Sequence, residues 1–146
     1  MSIRLNRKKL LCITFFLCCV LPACFPWFAV EDTQWRGMSL IELPLLISTS
    51  LFAFALMFER ARYMFPLGIT SHLLLVGFAL NCLVNFPVIS GIASARNWSC
   101  SLDAVRPIYW VALGLLLFHL VLFTTTEIAM QKLTRIPLSE KSCDTL

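Results

Sequence analysis

The chain has 146 residues, of which 59% are hydrophobic and 14% are charged. Soluble domains usually carry about 25% charged residues, and a soluble fold of this length has too little interior to cover so much apolar surface. Twelve Lys and Arg against eight Asp and Glu give a formal net charge of +4. These basic residues stand in short clusters between long uncharged runs, which argues against a nucleic-acid-binding surface. The composition predicts an all-α integral membrane protein.

Four apolar runs are each long enough for a transmembrane helix, which needs about 20 residues. They predict a single transmembrane domain over residues 1–146, built as a four-helix bundle with short loops. A cytoplasmic tail is expected at 127–146. The helices are expected at about 10–30, 39–58, 67–86 and 107–126.

Local signals set these expected boundaries. Ser39 and Glu42 have the spacing of a capping box at the start of the second helix. Pro66 and Pro87 bracket the third helix, since proline favours helix ends. Pro107 suits the first turn of the fourth helix.

The distribution of positive charge predicts the orientation. Cytoplasmic loops of membrane proteins carry an excess of Lys and Arg, so both termini and the hairpin at 59–62 are expected in the cytoplasm, with a bacterial inner membrane as the default. Only Arg36, Arg96 and Arg106 fall on the other side. The basic residues on the cytoplasmic side are Arg4, Arg7, Lys8, Lys9, Arg60, Arg62, Lys132, Arg135 and Lys141.

Aromatic residues crowd the predicted outer edge. Interfacial Trp and Tyr anchor helices at headgroup level, so the outer loops at 31–38 and 88–106 are expected against the membrane surface. The residues concerned are Trp27, Trp35, Trp98, Trp110 and Tyr109.

The N-terminal stretch is also typical of a secretion signal. Leu21 to Cys24 approximates the cleavage box of bacterial lipoproteins, but Pro22 and Phe25 depart from that pattern. We expect the segment to be retained; its cleavage would leave three spans.

Seven cysteines are many for this length, and buried thiols usually behave as small hydrophobic groups. The adjacent pair Cys18 and Cys19, followed by Val-Leu-Pro, resembles the first-helix cysteine pair of bacterial mercuric-ion transport proteins. That resemblance implies a path for a thiophilic metal ion, but it covers five residues, and the hairpin at 59–62 lacks a second cysteine pair. Cys24 and Cys100 could form a disulfide on the oxidising side, which the spacing leaves open.

The third predicted helix carries the most polar residues. Gly77, Asn81 and Asn85 recur at four-residue spacing, which places them on one helix face. Together with His72 and His119, they form either a packing seam toward neighbouring helices or a polar path for a proton or small solute. We favour the seam. Glu127 is expected near the inner interface, within reach of water and of Lys132.

The sequence contains no catalytic triad, phosphate loop or zinc-binding spacing. We therefore expect no enzymatic activity and assign no catalytic, cofactor or metal site. The favoured function is that of a non-enzymatic protein acting through helix–helix contacts in the bilayer, as an accessory subunit or a toxin-immunity-type protein, through a membrane-protein partner or self-association. The alternative is a small oligomeric transporter or channel for a solute, a proton or a thiophilic metal ion.

Overall fold

A computed structural model describes residues 2–57, 61–92 and 98–135. The structure is mostly helical (84%), which confirms the all-α expectation. Residues 59 and 60 of the predicted hairpin, Arg96 and the end of the predicted tail beyond residue 135 lie outside the described residues.

Six α-helices and one two-stranded hairpin follow one another along the described chain. A π-helical turn and a 3-10 turn continue the first helix, and these three pieces together are called the first helical segment. The elements are α1 (Ser2–Phe15), the π-helical turn (Phe16–Val20), the 3-10 turn (Leu21–Cys24), β1 (Pro26–Val30), β2 (Thr33–Arg36), α2 (Gly37–Leu40), α3 (Glu42–Met57), α4 (Ala61–Ile89), α5 (Trp98–Ala104) and α6 (Pro107–Arg135).

The four long helical pieces run alternately up and down. At one end, Arg7 of α1 contacts both Met64 near the start of α4 and Glu127 in the second half of α6. At the other end, Phe28 of the hairpin stacks on Phe86 near the end of α4. Helix α3 packs against α4, and α4 packs against α6.

Within the part of the chain that the structure describes, two helices are long and apolar enough to cross a membrane. They are Tyr63–Ile89 within α4 and Pro107–Lys132 within α6. The expected bundle of four transmembrane helices is therefore not confirmed. Helix α3 is shorter, with 16 residues, and the first apolar run is divided among α1, the π-helical turn and the 3-10 turn.

The first apolar run is helical only as far as Cys24, so the expected helix over 10–30 ends too late. Pro26 has no backbone N–H to continue a helical ladder, and it begins β1 instead. Strand β1 pairs antiparallel with β2 around a turn at which Glu31 has a φ of 50°. Trp27 and Phe28 of this strand are buried against the rest of the protein, and hydropathy alone does not distinguish such a strand from part of a membrane span.

Three other boundary predictions are wrong. Ser39 lies inside α2, and its hydroxyl donates to Arg36 O at 2.8 Å rather than capping α3, which starts at Glu42. Pro66 and Pro87 both lie inside α4, not at its edges. Each proline removes a single backbone donor close to a helix end, which a long helix tolerates when its neighbours pack well.

The fourth helix begins at Pro107 as predicted, but it continues to Arg135. Residues 127–135, the first part of the predicted tail, are therefore helical.

The hairpin closes one end of the bundle, which changes the role expected for two aromatic residues. Trp27 and Tyr109 are buried and meet edge to face at 5.5 Å. Trp27 Nε1 donates to Pro22 O at 3.0 Å, and Tyr109 OH donates to Ala79 O at 2.9 Å. These two rings are core residues and not headgroup anchors. Trp110 is 48% exposed and remains compatible with an interfacial position.

Small residues let α4 approach both of its neighbours closely. Ser48 Oγ donates to Ser71 O at 2.7 Å, and Ser71 Oγ donates to Ser48 O at 2.9 Å, so each hydroxyl bonds the backbone of the facing helix. Toward α6, a Cβ built on Gly68 would overlap the ring of Phe123. Gly68 therefore sets the distance between α4 and α6.

We expect Gly68→Ala to destabilise the protein by about 1–3 kcal/mol, the usual cost of overpacking a core. Gly77→Ala is the matched control on the same helix, because a Cβ there would meet no atom within 4 Å. Thermal unfolding in a mild detergent measures the difference. Equal melting temperatures for the two variants would show that the contact between Gly68 and Phe123 does not limit helix approach.

Candidate functional site

The interior of the bundle holds the two histidines of the chain. His72 of α4 and His119 of α6 are both fully buried, and His72 Nε2 lies 2.7 Å from His119 Nδ1. The other nitrogen of His72, Nδ1, lies 2.7 Å from Gly68 O. A carbonyl oxygen only accepts hydrogen bonds, so Nδ1 of His72 carries a proton and Nε2 of the neutral ring is an acceptor. His119 Nδ1–H therefore donates to His72 Nε2.

The remaining nitrogen of His119 faces α1. His119 Nε2 lies 3.0 Å from Thr14 Oγ1, and the same hydroxyl lies 2.9 Å from Leu10 O. Thr14 can donate to Leu10 O and accept from an Nε2–H only when Nδ1 of His119 has no proton to donate to His72. With the proton on Nδ1, the bare Nε2 of His119 accepts from the Thr14 hydroxyl. The row Thr14–His119–His72–Gly68 thus gives every ring nitrogen a partner and joins α1, α6 and α4.

Aromatic rings surround the histidine pair. Phe15 of α1 and Phe52 of α3 stack on each other at a centroid distance of 4.2 Å. Both rings stand roughly perpendicular to the two imidazoles, at centroid distances between 5.4 Å and 5.7 Å. Phe123 of α6 stacks on His72 at 5.7 Å. In such apolar surroundings hydrogen bonds are strong, and an unpaired nitrogen would be costly.

Cys19 joins the histidine pair to form a cluster of three metal-ligating residue types. One ligand atom from each of Cys19, His72 and His119 lies within 4.8 Å of the other two, and all three residues are buried. Cys19 belongs to the π-helical turn and, like Leu11 and Phe15 at four-residue spacing before it, is buried. Isolated π-helical turns occur frequently at functional sites.

The adjacent thiol does not share this position. Cys18 is half-buried and is not a member of the cluster. The two cysteines expected from the sequence to act together therefore have different surroundings. Cys24 and Cys100, both within the described chain, form no disulfide.

The remaining predicted seam residues face away from the bundle. A Cβ on Gly77 would meet no atom within 4 Å, and Asn81 is exposed while Asn85 is half-buried. Asn85 Nδ2 donates to Asn81 Oδ1 at 2.6 Å. Among the described residues, Gly77, Asn81 and Asn85 therefore do not form the expected seam, and Asn81 does not lie with the histidines. We call Gly77, Asn81 and Asn85 the outer polar face of α4.

A charged pair lies near the end of the bundle opposite the hairpin. Arg7 Nη1 lies 2.9 Å from Glu127 Oε1, with the side chains 18% and 1% exposed. The two groups attract as ions, although their orientation does not give a well-directed hydrogen bond. Glu127 is therefore buried and paired with Arg7, contrary to its expected access to water and to Lys132. Sequence reasoning missed this pair because its members are 120 positions apart.

Comparisons bear on neither the fold nor the site: no protein-family model, curated protein or solved structure matches the chain.

We expect Arg7→Met to destabilise the protein by about 3 kcal/mol, because it leaves the Glu127 carboxylate buried without its cation. The double variant Arg7→Met/Glu127→Gln removes both charges and should recover most of that loss. A double-mutant cycle of unfolding in mild detergent, with Glu127→Gln as the second single variant, measures the coupling. Strictly additive effects would mean that the two charges do not stabilise each other.

Proposed function

We propose that the protein is a multi-pass membrane protein with four membrane-crossing segments, which acts through helix contacts with another membrane protein and not by catalysis. The crossing segments are the first helical segment, α3, α4 and α6. Both termini lie in the cytoplasm, and the hairpin and α5 lie on the opposite side. A bacterial inner membrane is the default location.

The apolar side chains exposed on the outside of the bundle support the proposal that lipid surrounds these helices. Within α4 and α6, the most apolar windows are only 39% and 28% buried, whereas the core helix of a soluble protein is mostly buried. Large apolar side chains are also exposed on the other two segments, and a soluble monomer rarely exposes contiguous patches of this size. They include Leu10, Ile13, Phe16 and Leu17 on the first helical segment, and Leu43, Leu46, Ile47 and Phe54 on α3.

Length is the main argument against α3 as a crossing segment. Its 16 residues span about 24 Å at 1.5 Å per residue, against a hydrocarbon core of about 30 Å. The short helix α2 precedes α3 directly and extends the apolar stretch toward the hairpin. Local thinning of the bilayer accommodates a remaining mismatch of a few ångströms at modest cost.

Reporter fusions test this arrangement. A reporter that is active only outside the cytoplasm should be active when inserted between Glu31 and Asp32, and inactive at either terminus. The physical reason is the excess of Lys and Arg on the terminal side. Activity at a terminus, or its absence in the hairpin, would contradict the proposed orientation.

The outer polar face of α4 is the main support for the proposal that the protein acts through contacts with another membrane protein. Asn81 and Asn85 bond each other once, which leaves further amide donors and acceptors directed outward. Lipid cannot satisfy these groups. A transmembrane helix of a partner protein with amide or hydroxyl side chains can do so, and Gly77 permits its close approach. An accessory subunit or a toxin-immunity-type protein would use such a surface.

A pair of matched glycine variants tests this surface. Gly77 and Gly114 both face outward, and a Cβ on either would meet no atom within 4 Å. Gly77→Leu should reduce recovery of the partner from gentle-detergent purification at least tenfold, because the added side chain holds the partner helix away. Gly114→Leu on α6 should leave recovery unchanged.

Crosslinking from position 81 in membranes identifies the occupant. A crosslinked product of twice the 16.6 kDa chain mass would show that the occupant of this face is a second copy of the chain and not a different protein. Equal recovery of a partner with Gly77→Leu and Gly114→Leu would contradict the proposal that the partner binds at the outer polar face of α4.

Transport of a proton or small solute is the second candidate, and the buried histidine pair is the observation that favours it. Flux through vesicles lost in His119→Ala but retained in Gly77→Leu would select it over the contact function. The polar groups around the pair are satisfied within the bundle. A cavity of about 10 Å³ between Cys19, Trp27 and Tyr109 has room for at most one water. These satisfied groups and this small cavity are the reason that we place contact first.

A further inference from the structure

We propose that Cys19, His72 and His119 form a binding site for Cu⁺, a soft univalent metal cation, in the interior of the bundle. The inference does not depend on the outer polar face of α4, since the two sites lie on opposite sides of that helix. Three separate segments supply the ligands: the π-helical turn, α4 and α6. A thiolate and two imidazoles are ligands that suit Cu⁺.

The hydrogen bonds around the histidines already orient them as ligands. Metal-binding histidines usually donate their second ring N–H to a carbonyl, a carboxylate or another polar group, which fixes the tautomer. Nδ1 of His72 donates to Gly68 O at 2.7 Å, so its Nε2 directs a lone pair into the cluster, where without metal it accepts from His119 Nδ1–H. Thr14 Oγ1, 3.0 Å from His119 Nε2, provides the same support for His119 with Nδ1 as the ligand atom.

Binding requires a small opening of the histidine pair. Two nitrogens that each bind one metal at about 2.0 Å are about 3.4 Å apart at trigonal or tetrahedral angles. The two facing nitrogens are now 2.7 Å apart, so they must separate by roughly 0.7 Å. Rotation about χ2 of histidine is soft and supplies this movement. The three ligand atoms, now within 4.8 Å of one another, then close around the cation.

Charge selects a univalent over a divalent cation. One thiolate and two neutral imidazoles carry a net charge of −1, so Cu⁺ gives a neutral site. Zn²⁺ would leave a net charge of +1 among Phe15, Phe52 and Phe123, where burial of an uncompensated charge is strongly unfavourable. Three ligands also satisfy Cu⁺, whereas structural Zn²⁺ sites are almost always four-coordinate.

The proton balance of binding is simple. The S–H bond of Cys19 breaks, a sulfur–copper bond forms, and one proton leaves to solvent for each cation bound. His119 keeps its single proton, which moves from Nδ1 to Nε2 and is donated to Thr14 Oγ1. The hydroxyl of Thr14 then donates to Leu10 O, 2.9 Å away. No oxidation or reduction takes place.

The test is Cu⁺ titration of the purified full chain in mild detergent, under anaerobic reducing conditions and against a Cu⁺ chelator of known affinity. We expect one Cu⁺ per chain, an X-ray absorption spectrum with one sulfur and two nitrogens around copper, and a higher melting temperature with Cu⁺ than without it. Cys19→Ser should weaken binding by more than about 100-fold, beyond the 10–100-fold typical for loss of a second-sphere group.

Two cysteines provide matched controls. Cys18→Ser changes the adjacent thiol, and Cys82→Ser changes a buried thiol on α4 outside the cluster; both should retain the affinity of the unaltered chain. Equal affinity in Cys19→Ser, or a copper environment without sulfur, would overturn the site. Displacement of Cu⁺ by equimolar Zn²⁺ would overturn the charge argument. The absorption spectrum of the unaltered chain keeps the proposal testable even if a variant fails to fold.

Discussion

The relative positions of α1, α4 and α6 depend on two imidazole rings that are hydrogen-bonded to each other among phenylalanines. An unsatisfied ring nitrogen in such surroundings costs several kcal/mol, so each nitrogen must meet a partner at hydrogen-bond distance. His72 meets this condition with Gly68 O and His119, and His119 meets it with His72 and Thr14. A slide of α1, α4 or α6 by one residue would break at least one of these bonds. Apolar packing alone tolerates many registers, and the histidine row distinguishes one of them.

Other polar contacts apply the same constraint to different helix pairs. The reciprocal bonds of Ser48 and Ser71 join α3 to α4, and the ion pair of Arg7 with Glu127 joins α1 to α6. Within a bilayer, association of helices gains little from the hydrophobic effect, because lipid is as apolar as the helix surface. Packing of small residues and internal polar bonds must then supply the specificity. Gly68 combines both roles, since it admits Phe123 and its carbonyl accepts from His72.

The sequence predicts the helices better than their ends or their faces. Long apolar runs identify α3, α4 and α6, and Pro107 marks the start of α6 because proline suits a first helical turn. The hairpin could not be predicted because the run from 25 to 30 is as apolar as a membrane span. Within that run, only Pro26 indicates that the helix ends and a strand begins. The contacts of Arg7 with Glu127, and of Gly68 with Phe123, join residues too far apart for any local pattern to pair them. Cys19 is placed by a π-helical turn that has no recognised sequence signature here.

The faces of α4 could have been separated from the sequence with one further step. His72 and Asn81 are nine residues apart, which at about 100° per residue places them half a turn from each other. A path containing both was therefore inconsistent with helix geometry, and the structure places one inside and the other outside. The histidine and serine side chains inside the bundle find hydrogen-bond partners within the chain. Polar groups outside have only lipid or another protein, and lipid offers amides no hydrogen bonds. Within a bilayer, a helix with polar residues on opposite faces therefore needs protein on both, and this requirement is the physical basis for inferring a partner helix beside Gly77.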